Sequence, residues 1–159
     1  MKCNNCGGHT QFVPAHRYFQ CGFCGAHQHP EKSPDGADLI GEDGGLSCSR
    51  CQRALVTASI GEWGVLCCEK CRGLFIEQAD FPHLIRFERA GYAGPMVPNK
   101  ADASQQTAPP LPCPKCAQPM ERSRYLGPGG VFLDTCGGCA RIWLDVGELR
   151  NIVRAPGVY

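Results

Sequence analysis

The sequence predicts a chain of small β-rich modules, each stabilised by a cluster of cysteines instead of a large hydrophobic core. Thirteen of its 159 residues are cysteine. Hydrophobic residues make up 43% of the chain, and cysteine supplies about eight of those percentage points, which leaves little for one large core. Twelve of the cysteines form six C-x2-C pairs. Together these observations favour several metal-stabilised modules over one domain with a single core.

The six pairs are spaced alternately close together and far apart. Gaps of 14, 16 and 19 residues join them two by two, whereas 23 and 41 residues separate the joined pairs. Two such pairs, each in a tight turn, can place four thiolates in a tetrahedron around one ion. The spacing therefore predicts three tandem zinc ribbons with rubredoxin-like knuckles, each binding one structural Zn²⁺ ion. The predicted ligands are Cys3, Cys6, Cys21 and Cys24; Cys48, Cys51, Cys68 and Cys71; and Cys113, Cys116, Cys136 and Cys139.

Other uses of these cysteines are less consistent with the sequence. A thioredoxin-like redox motif opens a helix in a βαβ unit, and none of the six pairs lies in such a pattern. Four thiolates also bind iron, as in rubredoxin-type proteins, which leaves iron as an alternative metal. We interpret the remaining Cys67 as a small buried hydrophobic residue on a strand, rather than a ligand or a reactive thiol. His27 and His29 follow a quartet that is already complete, and we interpret them as solvent-exposed or supporting residues.

The spacing and the intervening composition divide the chain into five segments. Residues 30–46 are rich in Pro, Gly and Asp, which predicts a linker. Residues 92–112 contain five prolines, which predicts a semi-rigid spacer. The three modules are a bare ribbon at 1–29, a ribbon with a helix at 47–91, and a second ribbon with a helix at 113–159. We expect separate modules to share little core, so Cys116→Ser is expected to unfold the third and spare the first.

The second and third ribbons carry the same pattern after their last cysteine. When Cys71 is aligned with Cys139, the apolar runs that follow match in kind, and Phe75 stands opposite Trp143. We expect both aromatic side chains to be buried between the helix and the hairpin of their ribbons. Exposure of Trp143 as a contact residue is the alternative interpretation.

Each repeat continues into a predicted short helix. Apolar residues recur at i, i+3 and i+4 after the aromatic residue in both copies, which is one face of a helix. Gly91 predicts the end of the first helix. Asp145 and Glu148 have capping-box spacing, which predicts Asp145 as the N-cap of the second.

The third ribbon resembles a known family. Residues 113–149 read CPKCAQPMERSRYLGPGGVFLDTCGGCARIWLDVGEL, and the final run is similar to the C-x2-C-x-G-x-W-L-D-x-G-E-L pattern of transcription-factor-IIB-type zinc ribbons in small bacterial proteins. The resemblance extends over 113–153, with Arg141 in place of a glycine. Residues 48–85 resemble a diverged copy, with Phe75 for Trp and Asp80 for Glu. The resemblance implies zinc binding and the ribbon fold; most members of the family have no assigned activity, and its name does not make a member a transcription factor.

Charge argues against a nucleic-acid partner. The formal net charge is +1 with neutral thiols. Four thiolates and one divalent ion carry −2, so three loaded sites would bring the chain to about −5. A basic surface normally accompanies nucleic-acid binding. Arg122 and Arg124, with Tyr125 beside them, could hold a phosphate and a base if they lie on a strand; a solvated hairpin face is the interpretation we favour.

These features predict a non-enzymatic intracellular zinc-binding adaptor that uses its ribbons for protein–protein interaction. The alternative is a nucleic-acid or RNA-polymerase-associated, transcription-related factor. Catalysis is disfavoured, because closed metal sites leave no position for a substrate and His83 alone is a weak candidate base. The sequence shows neither a secretory signal nor a membrane-length apolar run, which predicts a cytoplasmic location without a membrane partner.

The first ribbon contains the most aromatic surface for its size. Phe12, Tyr18, Phe19 and Phe23 crowd fewer than thirty residues. Exposed apolar patches commonly mark interaction surfaces. We expect this ribbon to dock on its neighbour or to offer its aromatic residues to a protein partner, and formation of a homo-oligomer is a further possibility.

Overall fold

The computed structural model describes residues 1–99 and 108–157, which form two sheets and two helices. The three-stranded sheet contains β1 (Thr10–Val13), β2 (Tyr18–Cys21) and β3 (His27–Gln28). The seven-stranded sheet has the order β4-β5-β6-β7-β10-β9-β8 and contains β4 (Asp38–Ser47), β5 (Ala54–Ile60), β6 (Trp63–Cys67), β7 (Leu74–Glu77), β8 (Glu121–Arg124), β9 (Phe132–Cys136) and β10 (Arg141–Leu144). The helices are α1 (Phe81–Gly91) and α2 (Glu148–Arg154). The predicted class, a small β-rich fold with a short helix after the second and third ribbons, is confirmed.

Residues 30–46 are not the linker that their composition predicted. Strand β4 begins at Asp38 and pairs antiparallel with β5. Ala37 and Leu39 lie in the main core, 0% and 5% exposed. Gly41 and Gly45 have φ values of 82° and 71°, and the register between β4 and β5 shifts twice along the strand. The glycines that resembled loop residues therefore permit the irregularities of an edge strand, as glycines do at β-bulges.

The second and third ribbons are not separate modules, because their strands form one sheet. Strand β7 of the second ribbon pairs antiparallel with β10 of the third, with Phe75 opposite Trp143 and Leu74 opposite Leu144. Phe75 and Trp143 are equivalent positions of the repeat. A local two-fold axis therefore passes between them and relates one copy of the repeat to the other. The expectation that these two modules share little core is wrong.

Side chains alternate across the paired strands and divide the sheet into two faces. One face is covered by both helices and holds the larger core, which includes Leu74, Ile76, Leu84, Ile85, Ile142, Leu144, Leu149 and Ile152. Phe75 and Trp143 point to the opposite face, where the cysteine pairs of the second and third ribbons lie. Phe75 is 0% exposed and Trp143 1%, which confirms the prediction that both are core residues. The expected position between helix and hairpin is wrong, because the helices cover the other face of the sheet.

Helix α1 follows the predicted pattern. Phe81, Leu84 and Ile85 form its buried face, and the helix ends at Gly91 as expected. Asp80 occupies the N-cap position without a side-chain hydrogen bond. His83 lies on the exposed face of this helix.

The predicted N-cap of α2 is wrong. The N-cap residue is Gly147 with φ 87°, and the helix begins at Glu148. One half of the capping box is present, because Glu148 Oε2 accepts the Asp145 N–H at 2.8 Å. The capping acceptor comes from a distant part of the sequence. The Asp35 carboxylate accepts hydrogen bonds from the N–H groups of Gly147 and Arg150 at 2.7 and 2.9 Å. Asp35 thus satisfies helix donors that would otherwise lack a partner.

The first ribbon forms its own small sheet and reaches the larger one through charged contacts. Arg17, at the β1–β2 turn, pairs with Asp38, and Lys32 pairs with the same carboxylate at 2.6 Å. Asp38 is 3% exposed. The first ribbon is therefore tethered to the start of β4 by a buried carboxylate.

The predicted spacer at 92–112 is described only in part, since residues 100–107 lie outside the described residues. At its start, the Val97 N–H donates to the Arg154 carbonyl oxygen at 2.8 Å. At its end, Leu111 packs against the cluster around Phe75 and Trp143. Within the described part of the chain, no helix is long and apolar enough to cross a membrane.

Candidate metal centres

All six C-x2-C pairs lie in turns with one backbone conformation. The residue after the second cysteine has positive φ in every turn, from 49° at Ala140 to 73° at Gly7. In five of the turns its N–H donates to the carbonyl oxygen of the first cysteine at 2.8–3.0 Å. Gly7 and Gly25 meet this requirement without strain. The other four turns place Gln52, Arg72, Ala117 and Ala140 in this conformation.

The turns bring the predicted ligands together as three quartets, and the Sγ atoms of each quartet all lie within 4.8 Å of one another. Site 1 is Cys3, Cys6, Cys21 and Cys24; site 2 is Cys48, Cys51, Cys68 and Cys71; site 3 is Cys113, Cys116, Cys136 and Cys139. Several of the Sγ–Sγ separations lie between 3.3 and 3.7 Å. A tetrahedral ion with bonds of about 2.3 Å requires separations of about 3.8 Å. The three quartets therefore fit metal ions with little adjustment.

Backbone donors lower the pKa of at least one thiol in each site, whereas burial and neighbouring thiols raise the pKa of others, among them Cys6, Cys48 and Cys139. The N–H of Ala26 lowers the pKa of Cys24 to about 6, and that of Gln118 lowers the pKa of Cys116 to about 7. Burial raises the pKa of Cys68, but backbone N–H groups of its own turn outweigh this effect and bring the pKa to about 7. Because metal ligands must be thiolates, these backbone donors favour the ionised form that a metal needs at Cys24, Cys68 and Cys116.

Burial within the quartets follows one rule. The first cysteine of every pair is buried, and the second is half-buried or exposed. Site 1 is the most open, since Cys6 and Cys24 are both exposed, whereas Cys51 and Cys71 of site 2 are half-buried. Each shell uses four protein ligands, so a bound ion would have no open position for a substrate.

Sites 2 and 3 lie in one apolar cluster. Its buried members are Cys48, Leu55, Cys68, Phe75, Cys113, Met120, Cys136 and Trp143. The rings of Phe75 and Trp143 are 6.5 Å apart between centroids. The Trp143 indole N–H donates to Asp145 at 3.0 Å, which satisfies the polar group of a fully buried ring. The aromatic residues of the repeat thus support both metal sites.

Cys67 and the neighbouring histidines lie outside the quartets. Cys67 is 0% exposed within the larger core, and burial raises the pKa of its thiol to about 12. It is therefore the small buried residue that we predicted. His27 stacks on Tyr18 at 4.3 Å, and His29 is exposed, which agrees with their exclusion from site 1.

The two arginines of β8 lie in different surroundings. Arg122 makes two hydrogen bonds to the Asp134 carboxylate, at 2.8 and 2.5 Å, and its side chain is 9% exposed. It is not the solvated residue that we favoured, although Arg124 is exposed. Tyr125 packs edge-on against Phe81. Arg122 and Tyr125 of this hairpin therefore make internal contacts, whereas Arg124 is exposed.

Three functional contacts were missed by the sequence reasoning. Asp35 caps α2, Asp38 binds the first ribbon, and Arg50 of the site 2 turn forms a two-pronged ion pair with Asp145. Only one local signal marks these residues: two of them lie in a Pro-Gly-Asp-rich stretch, which is also typical of turns. The partners are more than ninety residues away for Asp35 and Arg50.

The shared sheet and the three four-cysteine clusters define a tandem zinc-ribbon protein. Residues 112–155 match the TFIIB zinc-ribbon family model, which is described as a transcription factor zinc-finger. The match covers the third ribbon and its helix, and it confirms the family resemblance stated for that segment. No curated protein and no solved structure matches the chain.

Proposed function

We propose that this protein is a non-enzymatic zinc-binding adaptor that uses its tandem ribbons to bind another protein. Closed four-thiolate shells support a structural role for the metal, because a catalytic site keeps an open position. The family of the third ribbon supports zinc over iron. A cytoplasmic location fits this proposal, since a reducing compartment keeps unpaired cysteines available as ligands.

We expect the purified protein to contain three zinc ions per chain, one for each quartet. Elemental analysis of protein produced without added chelator measures this directly. Removal of the metal should unfold the ribbons, because binding free energy of about 10–16 kcal/mol stabilises such small modules. Protein that contains mainly iron, or that keeps its circular dichroism spectrum after chelation, would contradict the assignment.

An apolar cleft carries the proposal of a protein partner. It has a volume of about 660 Å³ and lies between the first ribbon and the seven-stranded sheet. Its apolar lining consists of Phe12, Pro14, Ile40, Leu46, Val65 and Leu66. The volume is typical of sites that bury small molecules or peptide side chains.

The charges in the wall favour an apolar segment that carries an acidic side chain. Lys115 and Arg141 line the cleft, together with the single carboxylate of Glu42. Arg141 already pairs with Glu77 at 2.5 Å. Among the described residues, no carboxylate pairs with Lys115. An acidic residue in an extended apolar peptide would supply that missing partner.

The aromatic residues of the first ribbon divide between two environments. Phe19 is 3% exposed and packs against Phe12, which lines the cleft. Phe23 is 87% exposed at the tip of the second turn of site 1. The ribbon thus buries Phe19, lines the cleft with Phe12 and presents Phe23 to solvent, which supports it as part of the binding surface.

The test combines partner capture with variants of the cleft. The intact zinc-loaded chain is used as bait in extracts of its native host, and a captured protein is then purified and its affinity measured. Ile40→Glu and Lys115→Gln are expected to weaken binding by at least about tenfold. Leu126→Glu is the matched control, because Leu126 is 99% exposed and lies outside the cleft. Affinity unchanged by Ile40→Glu, in a variant with its full zinc content, would exclude the cleft as the binding site.

The second candidate function is a nucleic-acid or RNA-polymerase-associated factor. The name of the matching family supports it. The charge of the zinc-loaded chain, about −5, opposes it, because non-specific affinity for nucleic acid depends on phosphate neutralisation. We therefore expect binding to duplex DNA or single-stranded RNA to be weaker than about 1 μM at physiological salt. A tight, salt-dependent shift of either probe would favour this candidate over the adaptor.

A further inference from the structure

Sites 2 and 3 share more than their apolar cluster. Strand β7 begins three residues after Cys71 of site 2, and β10 begins two residues after Cys139 of site 3. Because these two strands pair along four residues, the turn of each site leads directly into the common sheet. Neither ribbon forms a separate sheet, since the strands of both belong to the seven-stranded sheet.

The tryptophan of the third ribbon packs directly on the metal-binding turn of the second. Gly73 lies between Cys71 and β7, and its carbonyl oxygen accepts the Cys68 N–H at 3.0 Å. A Cβ atom at Gly73 would overlap Cζ2 of Trp143. The indole ring therefore occupies the space next to the backbone that orients the ligands of site 2.

Polar contacts join the two sites around this ring. Arg50, between the first two ligands of site 2, pairs with Asp145, which also accepts the Trp143 indole N–H. The Ser49 hydroxyl donates to the carbonyl oxygen of Pro112, the residue before the first ligand of site 3. On the other side of the interface, the Gln78 N–H donates to the Ala140 carbonyl oxygen at 2.9 Å.

Site 1 has none of these connections. Its four cysteines lie in neither of the two apolar clusters, and its strands belong to the separate three-stranded sheet. Its ribbon reaches the larger sheet through the pair between Arg17 and Asp38. The metal occupancy of site 1 therefore has little influence on the packing around Phe75 and Trp143.

We propose that sites 2 and 3 form one two-metal unit that gains and loses its two ions together, whereas site 1 binds its ion independently. This inference rests on the zinc binding proposed above. The free energy of metal binding in small ribbons is also their folding free energy. Since the second and third ribbons share one core, the loss of either ion removes the structure that orders the ligands of the other.

The test counts zinc in variants that each lack one ligand. Cys51→Ser in site 2 and Cys116→Ser in site 3 are each expected to keep a single ion per chain, the one in site 1. The matched control is Cys6→Ser in site 1, which is expected to keep two. Native mass spectrometry measures the distribution directly. A Cys116→Ser chain that is folded and keeps two ions overturns the proposal.

A second measurement covers the case in which the site 2 and site 3 variants aggregate. The metal-free Cys6→Ser chain is titrated with zinc, so that only sites 2 and 3 fill. At one equivalent we expect metal-free chains and chains with both ions, with few intermediates; a dominant one-ion species overturns the proposal. A native chain without zinc would instead contradict the proposed function, so the two failures are distinguishable.

Discussion

Trp143 lies on strand β10 of the third ribbon and packs against the cysteine turn of the second. Its ring is 1% exposed, and Gly73 leaves room for it. We expect Trp143→Ala to lower the free energy of unfolding by about 3–5 kcal/mol, because removal of a buried aromatic leaves a cavity in the core. Denaturant titration of the zinc-loaded protein measures this loss.

The repeat supplies a control for this substitution. Phe75 occupies the equivalent position in the second ribbon and is fully buried there. Trp143→Phe should therefore be tolerated much better than Trp143→Ala, although it loses the hydrogen bond to Asp145. Unchanged stability in Trp143→Ala, together with loss of partner binding, would show that the residue acts at an interface instead.

Glu148 makes the folded protein less stable as the pH rises, which is the opposite of acid denaturation. Burial raises the pKa of its carboxyl from 4.5 to about 8. The folded state thus favours the neutral acid, and this contribution is complete below pH 4.5 and declines as the pH rises towards 8. Glu148→Gln removes the ionisable group but keeps an acceptor for the Asp145 N–H.

We compare the free energy of unfolding of Glu148→Gln with that of the native chain. Between about pH 6.5 and about pH 8, this difference should shift by about 1–2 kcal/mol in favour of the variant. Unfolding titrations at the two pH values, with zinc in excess, measure it. Excess zinc keeps the protonation of the thiol ligands from dominating the comparison. A difference independent of pH would show that Glu148 is ionised in the folded protein.

At the scale of elements, α2 depends on a carboxylate that is 112 residues away from Gly147 in the sequence. The helix has only seven residues, and its own N-cap residue offers no side-chain acceptor. Short helices gain most of their stability from caps and tertiary packing. Residues 30–37 are therefore part of the third ribbon's support, although they precede the second ribbon in the chain.

We expect Asp35→Ala to lower the free energy of unfolding by about 1–2 kcal/mol, since it leaves the Gly147 and Arg150 N–H groups without their acceptor. Asp35→Asn is the control, because its amide keeps one acceptor oxygen, and its loss should be smaller. Hydrogen exchange at the Gly147 and Arg150 amides reports the cap locally. Equal exchange rates in Asp35→Ala and the native chain would contradict the capping role.

The parts of the fold that the sequence predicted are those encoded by local spacing. Two cysteines three residues apart define a turn, and the apolar pattern after Cys71 and Cys139 repeats the same strand and helix. These features required no knowledge of the tertiary structure. All twelve predicted ligands therefore lie in the quartets that their spacing indicated.

The parts that the sequence did not predict depend on contacts between distant segments. Strand β4 contains Gly41 and Gly45, and its pairing with β5 outweighs the low strand propensity of glycine. The pairing of β7 with β10 joins residues whose equivalence was visible, but an internal repeat is also compatible with two independent modules. Asp35 and Asp38 lie in a Pro-Gly-Asp-rich stretch that indicates a turn but not their distant partners, because single carboxylates in such a stretch are normally solvated.

The three ribbons are not attached to one another equally firmly. The first ribbon is joined to the others by charged contacts, whereas the second and third share a continuous sheet. Arg17 holds the first ribbon through one buried carboxylate, Asp38, which also pairs with Lys32. The second and third ribbons share a sheet and two apolar clusters. The cleft lies between these two parts, so its shape depends on the weaker of the two attachments.

The two-fold relation between β7 and β10 is the arrangement of an isologous homodimer within a single chain. A protein with one copy of the repeat would need a second molecule to cover its edge strand and its aromatic residue, and its folding would depend on protein concentration. Covalent connection replaces that encounter with an intramolecular one at a fixed effective concentration. The stability of the paired ribbons is therefore independent of protein concentration.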